Sequence, residues 1–134
     1  MMADEWNNWL RVAEAMTPAC REAVTNTAKA GEIHVKAQIV MNGQVLTGNM
    51  LKSVYSSTPD GSTYQDVDRG LPEITPENET EAILAVSADY SVFPNYGTTH
   101  QSAKPFWEPG LDQMAGDFET QMGIVAQKLE DAGR

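Results

Sequence analysis

Residues 82–88 read AILAVSA, and this short run decides the fold class. Ile83, Leu84, Ala85 and Val86 make a compact apolar stretch of core-strand length, much shorter than the helical patterns elsewhere in the chain. One buried strand cannot satisfy its own backbone, so the sequence around it must supply both a pairing strand and a surface to cover.

Downstream, residues 85–110 (AVSADYSVFPNYGTTHQSAKPFWEPG) hold half of the four tyrosines, two of the three phenylalanines, one tryptophan and three of the seven prolines. Gly97, followed by Thr98 and Thr99, has the chemistry of a turn. Pro105 and Pro109 bracket Phe106 and Trp107 and restrict the backbone there. Such an aromatic loop serves either to close the core or to meet a partner. For a partner contact the expected residues are Tyr90, Phe93, Tyr96, Gly97, Thr98, Pro105, Phe106, Trp107 and Pro109, with the aromatic rings as anchors. After the loop, Leu111, Met114, Phe118, Met122, Val125 and Leu129 step at three and four, which predicts an amphipathic helix to about Ala132 with Pro109 in its first turn.

Upstream, Lys52 to Ser57 reads as a strand centred on Val54 and Tyr55. Pro59-Asp60-Gly61 is a turn signal, and residues 62–67 are expected to return as its partner. Residues 60–81 are acidic and rich in turns. Asp60, Asp66, Asp68, Glu73, Glu77, Glu79 and Glu81 stand against Arg69 alone, and Pro72 and Pro76 argue against a central strand. Their spacing does not match a calcium-binding loop, so this reads as a solvated loop or hairpin extension over 58–81.

Further back, Thr17-Pro18 reads as a helix start, and Cys20, Val24, Ala28, Gly31, Val35 and Ile39 form a stripe of small and branched residues along a long helix. Asn42-Gly43 ends it, and Thr47 has the chemistry of a cap for a short helical turn. Glu32 and Lys36 are an i,i+4 pair, and His34 beside the stripe reads as a structural histidine. Residues 1–16 read as a separate helical arm. Trp6 and Trp9 are expected to pack on the same chain, with a neighbouring subunit as the alternative. The sum is a single domain over residues 1–134 of α+β class, a small, mainly antiparallel sheet packed against a long N-terminal helix and a C-terminal amphipathic helix.

Composition limits function. The 134 residues carry a net charge of −10, which disfavours a phosphate grip on nucleic acid and adhesion to anionic membranes. The acidic N-terminus has no apolar segment of the secretory type, and one cysteine, Cys20, leaves no disulfide framework. Two histidines without nucleophile or ligand spacing give no catalytic constellation, so the expectation is a non-enzyme with no metal and no cofactor.

Two motifs carry a resemblance. Tyr90, then Tyr96-Gly97-Thr98, then Ala103-Lys104-Pro105-Phe106-Trp107-Glu108-Pro109 leading into a helix, together with the upstream Thr47-Gly48-Asn49-Met50-Leu51-Lys52-Ser53-Val54, resemble the small neck, or head–tail joining, proteins of long-tailed bacteriophages. Members of that family are also described as minor tail or tail-completion proteins. The chain departs from the family pattern at Pro94-Asn95, where the family has Val-Glu, and at Asn42-Gly43, where it often has a proline. The resemblance implies a structural virion protein, made in the bacterial cytoplasm, that forms a sixfold or twelvefold homo-oligomeric ring. It also implies neighbouring head-completion and tail proteins as partners, and DNA passing without specific binding. Asp60, Asp66, Asp68, Glu73, Glu77, Glu79 and Glu81 are then the expected channel-facing acids. The alternatives are a tail terminator ring or, outside this class, a small ligand- or peptide-binding module.

Overall fold

In a computed structural model the described residues are 2–43, 48–88 and 105–134, with backbone alone for 2–8 and 49. Helix α1 spans Met2–Met41, the short helix α2 Asn49–Ser53, strands β1 Val54–Thr58, β2 Gly61–Ser62 and β3 Ile83–Val86, and helix α3 Trp107–Ala132. The strands form one antiparallel sheet of order β2-β1-β3, which gives the α+β fold expected from the sequence.

Helix α1 is the spine. It runs unbroken through Pro18, so the restart expected at Thr17-Pro18 does not occur. Pro18 has no N–H to give the carbonyl of Glu14, but both residues are exposed, and water can take that carbonyl. The helix stops where expected: Gly43 takes a positive φ of 72° and donates to the Val40 carbonyl at 3.0 Å. The side chain of Asn42 then donates to the carbonyl of Pro105 at 2.7 Å, tying the end of α1 to the start of α3.

Helix α3 lies antiparallel to α1 along most of its length. Arg11 reaches the carbonyl of Ala132 at the far end, and Gly110 meets Val35 at the near end. The two glycines on this seam have a packing purpose. A Cβ built on Gly110 would lie 2.5 Å from Val35 Cγ2 and 2.9 Å from its Cα, and one on Gly31 would lie 2.3 Å from Met114 Sδ. The stripe expected from the sequence is therefore real but wider. Ala19, Ala23 and Thr27 are buried as well, while Cys20 and Val24 are half-buried.

Two apolar clusters result. The larger joins Val35, Ile39, Met50, Val54 and Phe106 where the sheet meets the helices. The smaller joins Ala19, Ala23 and Val125 out along the helix pair, with Cys20 and Leu129 against it. Before Ala19, α1 runs out from under the sheet. Trp9 is 70 % exposed, and Leu10 and Met16 are exposed too, so the expected packing of Trp9 within the chain does not occur. Val12 touches the last turn of α3 at Gly133, and residue 9 lies a helical turn beyond that end. The Trp6 side chain lies outside what is described.

Strand β1 begins at Val54, two residues later than expected, because Lys52 and Ser53 belong to α2. The N-cap position of α2 falls on Gly48, at φ 74°, and the expected cap Thr47 lies outside the described residues. Strand β2 is only two residues long, paired as Ser57↔Ser62 and Thr58↔Gly61, although Thr63 extends the ladder by donating to the Ser56 carbonyl at 3.0 Å. Strand β3 pairs with four of the five residues of β1, from Val54↔Val86 to Ser57↔Ile83, in the run that the sequence singles out.

All five residues of β1 are buried, on both faces. Val54 and Ser56 face α1, and Tyr55 faces away from it, as the two-residue period requires. The acidic segment after β2 covers that second face. Tyr64 packs edge-on against Tyr55 at 5.1 Å, the Ile74 N–H donates to the Tyr55 hydroxyl at 2.9 Å, and the Leu71 N–H donates to the Ser87 carbonyl at 2.6 Å. Residues 63–74 thus lie along the sheet and are held to it at several points.

Candidate functional site

Glu32 is the polar centre of the molecule. Its Oε1 accepts from the Ser56 N–H and the Ser56 hydroxyl, both at 2.9 Å, and from the Thr63 hydroxyl. Its Oε2 pairs with Lys36 at 3.0 Å, and the side chain is only 14 % exposed. Burial pushes this carboxyl up, but the hydrogen bonds from Thr63, Lys36 and Ser56, with the Lys36 charge, outweigh it and hold the group below the ordinary value of 4.5. A carboxylate that takes a backbone N–H, two hydroxyls and an ammonium is fully engaged, so it docks the hairpin onto α1 and is unavailable for proton transfer. The i,i+4 pair with Lys36 was legible in the sequence; the pairing with Ser56 and Thr63 was not, because nothing local connects residue 32 to residue 56.

His34 serves the other seam. Its Nε2 lies 2.5 Å from Asp117 Oδ2 on α3, a structural role in keeping with the sequence reading. Lys128 with Glu22 at 2.5 Å and Asn26 with Gln121 at 3.2 Å continue the same line of polar contacts. Among the described residues no group of three or more His, Cys, Asp and Glu is placed to hold a metal ion.

Of the residues expected at a partner contact, Tyr90, Phe93, Tyr96, Gly97 and Thr98 lie outside the described residues. Pro105 is exposed and Pro109 half-buried. Phe106, at 2 % exposure, is part of the larger apolar cluster, and Trp107 is half-buried against it. These two rings close the core of this chain at the start of α3.

The seven acids divide. Asp60, Glu73, Glu77 and Glu79 line one open basin of about 520 Å³ between the β1–β2 turn and the segment before β3. Arg21 of α1 anchors that basin: its guanidinium is 2.6 Å from Asp60 and 3.7 Å from Glu79, and it also donates to the Pro59 carbonyl. Asp66 and Asp68 are exposed on the segment that crosses the sheet. Glu81 is half-buried and belongs to a different feature.

That feature is an apolar trough of about 430 Å³. Val24, Thr27 and Ala28 of α1 make its floor. Trp107, Leu111, Met114 and Phe118 of α3 make one wall, and the chain from Thr80 to Leu84 makes the other. Phe118 stands at the rim, 45 % exposed, and Met122 continues the apolar track one turn further. The helical period of α3 was readable from the sequence, but the expected burial of Phe118 and Met122 is not met, since the sheet sits mainly on α1 and leaves this part of α3 open.

No family model, no curated protein and no solved structure matches the chain. Among the described residues no helix is long and apolar enough to cross a membrane.

Proposed function

We propose that this chain is a structural subunit of a tailed-bacteriophage virion, one copy of a homo-oligomeric ring at the head–tail junction that joins tail to head and lets DNA pass. The motif resemblance at residues 47–54 and 90–109 suggests the class. The observation that carries the proposal physically is the exposed start of α1, where Trp9 and Leu10 stand in solvent beyond the end of α3 and Met16 is exposed alongside it. Large apolar side chains grouped on a projecting element suit a contact with another subunit. In this reading the role is structural and not catalytic, and the ring needs no cofactor.

The acid distribution supports the second half of the reading. Asp60, Glu73, Glu77 and Glu79 share one open basin, and the whole chain carries a charge of −10. A surface of that sign repels the phosphate backbone and suits a channel through which DNA must slide. Electron microscopy of the purified chain tests this. The expected images are rings of sixfold or twelvefold symmetry with a central opening and the basin on its wall. Rings with the basin on the outer rim would remove the channel role.

A further inference from the structure

We infer that Asn42-Gly43 is a site of self-modification, where the chain deamidates and the product undoes the joint between α1 and α3. It is the only Asn-Gly pair in the sequence. The reaction favours that order. The Gly43 nitrogen attacks the carbonyl carbon of the Asn42 side chain, and a glycine puts no side chain in the way of the ring that closes. A bond forms between that nitrogen and the side-chain carbon, the bond from the carbon to the amide nitrogen breaks, and ammonia leaves a five-membered succinimide behind. Water then opens the ring at either carbonyl. One opening gives aspartate, the other the isomer in which the backbone runs through the side chain. The sum is amide plus water to carboxylate plus ammonium, with no oxidation or reduction.

The fold gives this amide a structural task. Asn42 Nδ2 donates to the Pro105 carbonyl at 2.7 Å, and Asn42 Oδ1 accepts from Gln38 Nε2 at 3.0 Å. Pro105 leads into Phe106 and Trp107, which close the larger apolar cluster. A carboxylate has no donor, so the product sets an oxygen against the Pro105 carbonyl. It also adds negative charge at the C-terminal end of α1, where the helix dipole is already negative. The same contacts hold the reaction back while the joint is closed. The Gly43 N–H is committed to the Val40 carbonyl at 3.0 Å, and both polar atoms of the Asn42 side chain are held. Access is not the obstacle, because Gly43 is exposed and a Cβ built on it meets nothing within 4 Å. Opening of the helix end is therefore the gate, and a joint that has reacted cannot close as before.

The test is to age the full chain in mildly alkaline buffer, folded and in concentrated urea, and to follow each asparagine by peptide mass spectrometry. In urea Asn42 should convert ahead of Asn26 and Asn78. In the folded chain it should convert on the order of tenfold more slowly, the factor that about 1.4 kcal/mol of local protection supplies. Gln38→Ala frees one end of the amide and should speed conversion in the folded chain, with circular dichroism and the rate in urea unchanged. Asn42→Asp, which copies one product, should unfold at lower urea than the wild type, and aged wild type should shift the same way. Conversion in urea no faster than at Asn26 would overturn the site. Equal rates in folded and unfolded chain, or no effect of Gln38→Ala, would overturn the gate. An Asn42→Asp chain as stable as the wild type would overturn the link to the joint.

Discussion

Gly110 on α3 sits so close to Val35 on α1 that a methyl group added there would lie 2.9 Å from the Val35 Cα. The obstacle is backbone, which cannot swing aside, so the two helices would have to part. Gly110→Ala is expected to lower stability by about 1–3 kcal/mol, the usual range for overpacking, less a fraction returned by better helix propensity. Gly31→Ala meets side-chain atoms alone, Met114 Sδ at 2.3 Å and Leu84 Cδ2 at 2.8 Å, which can shift more readily than backbone, so it should cost less. Gly116→Ala and Gly123→Ala meet nothing within 4 Å and should stabilise by up to about 1 kcal/mol. Urea denaturation of the four variants checks the order.

Glu32 should make the fold acid-sensitive. Its folded pKa lies below its unfolded value, so its contribution is complete above about pH 4.5 and is lost as pH falls through the folded pKa. Glu32→Gln keeps an acceptor for Ser56 but removes the charge. The stability gap between wild type and Glu32→Gln should be widest near pH 7 and narrow toward pH 3, as denaturant titrations across that range would reveal. Glu32→Ala should cost more, about 2–3 kcal/mol, because the buried Ser56 hydroxyl loses its acceptor.

Pro18 interrupts the hydrogen-bond ladder of α1 at an exposed position. Pro18→Ala restores a donor for the Glu14 carbonyl and should raise the melting temperature, with a gain of about 1–3 kcal/mol. No change in stability would mean that the helix is already divided at this point.

His34 and Asp117 join the helices across a seam that is partly open to water. A double-mutant cycle with His34→Ala and Asp117→Ala should give a coupling of about 0.5–1 kcal/mol, as expected for a half-exposed pair. A coupling near zero would leave the seam to Gly110, Gly31 and the apolar contacts.

The helical parts of this fold were legible because their signal is periodic. The steps from Cys20 to Ile39 and from Leu111 to Leu129 identify both long helices, and the apolar run at Ile83–Val86 identifies the edge strand that pairs with β1. Pro18 misled because local chemistry favours a helix start there, while packing of Ala19 and Ala23 against Val125 carries the helix straight through. The burial of Tyr55 and the anchoring of Asp60 by Arg21 depend on contacts between residues distant in sequence, which no local pattern encodes. The trough was equally hidden. Phe118 and Met122 have core periodicity, and only the position of the sheet over α1 decides that they stay exposed.

The central claim is that this chain assembles into a closed ring, and native mass spectrometry of the purified chain over a range of concentrations tests it most directly. The account predicts one dominant species of six or twelve copies, lost in Trp9→Ser. A monomer at every concentration, in both the wild type and the variant, would contradict it.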